Sequence, residues 1–336
     1  MAEDRGSPSL MHTSTQIIHL AGNLLRIWSV YLTYWYLTTT GASVPLFIFL
    51  CLVPSSLIFL ILQKPWKGRS LSNQQVVPSV INGAITALYF FLWGISLKSC
   101  GPISTLLGEY SGASLGVLST VLYGRKGHLL KKVGGLFAIL TSFFLLSQGW
   151  ATSSSFPLTY TADVEDTDQI LGFRKMLLPI FAGILSALKR VIARRVSLKN
   201  QLKKRLNAIT FASATCMLFP VAIIIGTSSD GVTEIPFSPL VFSSNIIFGI
   251  ILIFYVDSVA EERLHMVFSS PRHLLATGAC VIIMEIIFKM DFSLLGFSFC
   301  CLILGLGIYQ ATYVEKGKTS TNSFLENDLN APTLPS

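Results

Sequence analysis

Charge is what this chain has least of. Only 12% of its 336 residues are Asp, Glu, Lys or Arg, 51% are hydrophobic, and the mean hydropathy is +0.62. A soluble domain of this length needs more polar surface than that, so the composition points to a membrane protein. The six cysteines lack the spacing of a disulfide framework or a zinc knuckle. Cys51, Cys216, Cys280, Cys300 and Cys301 fall inside apolar runs and Cys100 at a helix end, where they read as small buried side chains. Histidine is scarcer still. His19 is the only one within an apolar run, while His12, His128, His265 and His273 are scattered through tails and loops. Zinc asks for about four converging N, S or O ligands, so neither a metal site nor any other cofactor is expected. No nucleophile and base stand together, which argues against an intramembrane enzyme. The first fifteen residues have no basic stretch leading into a short apolar run with a small-residue cleavage site. A cleaved signal peptide is therefore not expected, and the first apolar run should direct insertion. No glycosylation sequon or lipidation motif is present.

Long apolar runs are what the chain does have. They recur near 16–36, 43–62, 76–97, 103–123, 133–150, 176–196, 206–226, 239–258, 274–290 and 292–313. Each is close to the twenty residues that cross a hydrocarbon core as a helix. The expected fold is an all-α polytopic membrane protein of about ten transmembrane helices. A cytosolic tail, 1–15, precedes a membrane domain, 16–313, and a disordered cytosolic tail, 314–336, rich in Ser, Thr, Asn and Pro, follows it. The acidic luminal loop 151–173 divides the domain into halves 16–150 and 174–313. Five runs per half make any repeat inverted in topology, a plan in which a substrate site forms at mid-membrane.

The net charge of +8 is distributed by side. Loops after the even-numbered runs hold seventeen basic residues, eight of them between 189 and 205, against four (Lys98, Arg174, Lys175 and Lys289) on the opposite side. That asymmetry places both termini in the cytosol. It serves topology first and binding of anionic membrane lipids second, so nucleic acid is not an expected partner.

Ionisable residues inside the runs are the functional candidates. The stretch 101–125 carries one carboxylate, Glu109, beside Gly108, Gly112 and Gly116, which recur every four residues and permit close helix packing. The first run carries His19, Asn23 and Arg26 on one side. Arg26 lies near its middle, and Glu109 at similar depth is the economical partner. The two read as a structural ion pair, as a substrate or coupling-ion site, or, with a shifted boundary, as a snorkelling Arg26. Lys98 and Asp257 are further candidates for a substrate pathway. Asp257 at the inner end of the eighth run is equally explained by interfacial solvation. Glu285 stands four residues before Lys289, as a local pair across one helical turn would. Tyr89, Phe90, Phe91 and Trp93 cluster toward the outer end of the third run, as an interfacial belt or a stacking wall. Residues 98–102 leave room only for a turn, so the third and fourth runs should be antiparallel neighbours.

The stretch from Leu88 to Ile95, Gly101-Pro102, the fourth run and Gly124-Arg125-Lys126-Gly127 resemble the third-to-fifth-helix region of the drug/metabolite transporter superfamily, which includes nucleotide-sugar carriers. More specifically, Gln63-Lys64-Pro65-Trp66, Cys100-Gly101-Pro102 with Thr105-Leu106-Leu107 and Glu109, and Phe254-Tyr255-Val256-Asp257-Ser258 are similar to the N-terminal membrane extension of the Golgi zinc transporter 5 class. That resemblance implies a Golgi or other early secretory membrane and a link to zinc homeostasis. The metal-transporting domain of that class, with His and Asp paired on membrane helices, has no counterpart here. Two functions are therefore expected. One is a carrier of a small polar or anionic metabolite. The other is a non-transporting partner that assembles with a cation-diffusion-facilitator zinc transporter or with itself.

Overall fold

The computed structural model describes residues 9–67, 73–122, 129–152, 172–199, 203–227, 238–252 and 271–329, and every described element is helical. The helices are α1 (Ser9–Thr40), α2 (Val44–Gln63), α3 (Asn73–Gly108), a 3-10 turn (Glu109–Gly112) running into α4 (Ala113–Leu122), α5 (Leu129–Ser147), α6 (Gly172–Lys199) and α7 (Lys203–Thr227). Then come α8 (Pro239–Ser244), continued by a π-helical stretch (Asn245–Ile251), α9 (Pro271–Phe288) and α10 (Leu294–Leu329).

Helix α3 is two rods joined at Gly101, where φ of 79° and ψ of 172° break the helical path and Pro102 opens the next turn. The chain doubles back there. Ser96 Oγ lies 2.9 Å from Thr105 Oγ1, and the Tyr89 hydroxyl lies 3.4 Å from Glu109, twenty residues on. Twenty residues of straight helix would separate those two by about 30 Å. Residues 73–100 and 102–122 are therefore antiparallel neighbours, and the second limb of α3 is counted below with α4.

Among the described residues six helices are long and apolar enough to cross a membrane, against the ten spans expected. The difference has three physical sources. The third and fourth runs form one continuous stretch, Val76–Leu115. Helix α1 carries Asn23, Arg26 and several hydroxyls, which lower its hydropathy. Two further apolar helices, Pro239–Ile251 and His273–Phe288, are short. The chain is an all-α membrane protein, with large apolar side chains such as Leu57, Phe137, Ile224 and Leu302 exposed on its outer faces, as lipid contact requires.

Helix packing follows small side chains and rings. Helix α6 crosses the α4 rod where Gly183 meets Gly108 and Ala187 meets Gly112, so closely that a Cβ at either Gly108 or Gly112 would overlap the partner. The surroundings of Gly116 lie outside the described residues. Helix α5 meets α10 at Gly135 and Gly307, with Ser142 Oγ donating to the Cys300 carbonyl at 2.9 Å. Phe59 stacks on Phe211 between α2 and α7, Gly83 seats Ser213 between α3 and α7, and Lys189 brings α6 onto α3. Helix α1 packs on the π-helical stretch after α8 through Trp28 and Phe248 and on α9 through Tyr31 and Phe288, while Phe47 joins α2 to α8 through Phe242.

Candidate functional site

Four helices converge on Arg26. Its guanidinium forms an ion pair with both carboxylate oxygens of Glu109, on the 3-10 turn of the α4 rod. The two side chains are 10% and 9% exposed, so the pair is turned into the bundle and away from lipid. The Tyr89 hydroxyl reaches Glu109 Oε1 at 3.4 Å, and the Lys189 ammonium sits 4.1 Å from the centre of the Tyr89 ring. That is a cation over an aromatic face, worth about 2 kcal/mol when desolvated. The charges of Arg190 and Lys189 also act on Glu109. Among the described residues one carboxylate thus serves three cations.

A narrow recess, with about 20 Å³ open to a water-sized molecule, lies beside the pair, lined by Arg26, Cys51, Tyr89, Trp93, Asn245 and Gly249. Both interruptions of regular α-helix border the centre: the 3-10 turn supplies Glu109, and the π-helical stretch supplies Asn245 and Gly249. Such local departures recur where helices bend or carry function. The indole N–H of Trp93 is buried with no hydrogen-bond partner among the described residues, as are the hydroxyls of Ser29 and Thr33, three and seven residues along α1 from Arg26. Buried polar groups in folded proteins are overwhelmingly paired. Of these three, Trp93 lines the recess, and its bare indole is a group that a polar ligand there would satisfy.

A second polar cluster lies one residue further along the α4 rod. The Tyr110 hydroxyl lies 2.7 Å from His273 Nδ1 and 2.9 Å from Thr277 Oγ1, and Asn23 Nδ2 donates to the same Thr277 oxygen at 3.0 Å. These bonds tie α1 and α9 to the α4 rod.

Of the sequence candidates, Arg26 and Glu109 are brought together. Lys98 is elsewhere: its ammonium donates to the carbonyls of Gly41 and Ala42 at 3.1 and 3.0 Å, capping the turn between α1 and α2. His19 lies on α1, with its side chain outside the described residues, and Asp257 falls outside them altogether. The aromatic cluster is no interfacial belt, since Tyr89, Phe90 and Trp93 are buried and line the recess. Lys189 and Arg190, read from sequence as the start of a basic loop, belong to α6, and Lys189 is 6% exposed. The signal that could have found them is position: both lie within the sixth apolar run. Glu285 makes no pair with Lys289. The helix ends at Phe288, and Lys289, at φ 50°, leaves the helical path, so the spacing that would join them is lost.

No family model matches the chain. One solved structure, described only as "Crystal structure of protein", is similar to it at 16% identity and a TM-score of 0.48, over 88% of this chain and 97% of that one. Nothing further rests on that likeness.

Proposed function

We propose that this chain is a ten-span carrier of a secretory-pathway membrane, the Golgi by resemblance, moving a small anionic metabolite by alternating access. The observation that carries the reading is the cluster of Arg26, Lys189 and Arg190 about Glu109, three cations to one acid among the described residues, beside a recess that holds the bare indole of Trp93. Burying that much charge inside a membrane bundle is costly, and functional sites are where such costs are retained.

Part of the helix packing fits a five-plus-five plan, while the α1–α3, α2–α3, α4–α10 and α5–α6 contacts have no counterpart of similar extent. Exchanging each helix with the one five places along turns α1–α9 packing into α6–α4, α1–α8 into α6–α3, α2–α8 into α7–α3 and α4–α5 into α9–α10. It leaves α2–α7 and α5–α10 unchanged, and every one of those contacts is present. Two halves related this way place a site at their shared axis, with alternating access as rocking of one half on the other. The basic residues of the alternate loops favour cytosolic termini. The link to zinc homeostasis rests on the resemblance alone.

The test is uptake by purified protein in liposomes, using radiolabelled inorganic phosphate, a sugar phosphate and a nucleotide sugar. Uptake of at least one that is lost in both Arg26→Gln and Lys189→Gln is expected. Uptake unchanged in those variants would remove the cluster from the mechanism. No uptake of any probe, together with a zinc transporter recovered from Golgi membranes on the same chain, would favour the non-transporting partner.

A further inference from the structure

Glu285 is 2% exposed on α9, and its place in the bundle is unlike that of Glu109. Its Oε1 accepts from the Tyr31 hydroxyl of α1, and its Oε2 is buried with no hydrogen-bond partner among the described residues. No cation is paired with it among the described residues. From α1 it faces Tyr31 and, close enough to feel its charge, Tyr34. From α10, Cys301 approaches Gly278, two turns away along α9. On its own strand of chain, Lys289 and Asp291 beyond the helix end are both exposed.

A carboxylate with one neutral donor and no counter-ion, inside an apolar bundle, is more expensive than the same group carrying a proton. The ionised form at Glu109 is held by three cations, and among the described residues none stands at Glu285. The same residue type therefore stands in two different roles along α1.

We propose that Glu285, with Tyr31, is a proton-binding site separate from the Arg26–Glu109 pair. On the carrier reading above, it is where the coupling proton is taken up and released. The proton sits on the bare Oε2, and the Tyr31 hydroxyl holds the other oxygen and fixes the carboxyl's orientation. Position suits exchange: Glu285 lies within the last turn of α9, which ends at Phe288, so a proton has only that turn to cross to reach the loop at 289–293. Protonation there removes the one formal charge between the outer parts of α1 and α9, and deprotonation restores it. The equilibrium between two arrangements of those helices is biased accordingly.

The test needs no transported substrate, so its failure and that of the carrier reading are distinguishable. Dicyclohexylcarbodiimide, an apolar reagent, modifies carboxyl groups that carry a proton in a membrane interior, and peptide mass spectrometry locates the adduct. Full-length protein in nanodiscs should be labelled at Glu285 at neutral pH and not at the ion-paired Glu109. Labelling should fall as the medium is made alkaline, vanish in Glu285→Gln, and persist in Tyr31→Phe, which keeps the acid and guards against a variant that fails to fold. A folded wild-type protein that stays unlabelled at Glu285, or is labelled equally at every pH tested, would overturn the proposal.

Discussion

Removing Glu109 should destabilise the protein more than removing Arg26, although the two form one ion pair. Breaking a buried pair by deleting one member costs about 3–5 kcal/mol, because the survivor is left charged and unpaired. The two survivors here are not equivalent. In Glu109→Gln, Arg26 loses the one carboxylate paired with it among the described residues, and Glu109 no longer offsets the repulsion among Arg26, Lys189 and Arg190. The cost should lie at the upper end, about 5 kcal/mol. In Arg26→Met, Glu109 keeps the charges of Lys189 and Arg190. Each is worth on the order of 1–2 kcal/mol at an effective dielectric constant of about 20, so the loss should be nearer 2 kcal/mol. The double variant, with neither partner stranded, should be more stable than Glu109→Gln alone, as replacement of a buried pair by apolar groups often is. Tyr89→Phe removes only a long hydrogen bond and should cost under about 1 kcal/mol. Reversible unfolding of the purified protein in mixed micelles, followed by tryptophan fluorescence, gives all four numbers as a double-mutant cycle plus one control. Equal losses for the two single variants, or a larger one for Arg26→Met, would refute the argument that several cations share the acid.

Three other expectations follow from named contacts. Gly183→Ala should cost about 1–3 kcal/mol and reduce the folded yield, because its Cβ would overlap Gly108 and Ser111, whereas Gly278→Ala, whose Cβ would find its nearest neighbour at 3.9 Å, should be neutral or gain up to about 1 kcal/mol; fluorescence-detected size-exclusion after heating separates them. Lys98→Met should cost about 1–2 kcal/mol through the lost cap on Gly41 and Ala42, and should leave anion uptake in liposomes unchanged, since that ammonium is not part of the charged cluster. Cys216, exposed midway along the apolar stretch Arg205–Ile225, should react with a lipid-soluble maleimide and resist a charged one; reaction with both would take α7 out of the hydrocarbon.

Some of this was readable from residues alone, for physical reasons that differ from place to place. Charges inside apolar runs are so few that Arg26 and Glu109 had hardly any alternative partners, and depth along two helices was enough to match them. The turn at Gly101 was readable because five residues between two apolar runs leave no other geometry. Lys189 was hidden by its own type: a basic residue near the end of a run satisfies the positive-inside rule equally well as a loop residue or as a buried site residue. Only the rings of Tyr89 and Phe90, packed against it from α3, distinguish the two. Glu285 was hidden by Lys289. A four-residue spacing implies a shared helix face only while the helix continues, and whether it continues to Lys289 is settled by the backbone. Its actual partner, Tyr31, is 254 residues away, beyond any local rule.

Helix α1 shows why hydropathy and function pull against each other in this chain. Asn23, Arg26 and Tyr31 each hold a different polar group, Thr277, Glu109 and Glu285, on one of two neighbouring rods. A helix facing lipid with such side chains would be expelled, since each unpaired polar group in hydrocarbon costs several kcal/mol, on the order of that for a bare backbone group. Packed between α9 and the α4 rod, the same side chains are matched one for one. The cost of inserting α1 is thereby tied to the presence of its partners, and a helix too polar to count among the apolar spans depends on the rest of the bundle. A rod held by directional polar contacts has a few discrete seatings in place of a continuum, and exchange between such seatings is what an alternating-access carrier needs of the helix that lines its site.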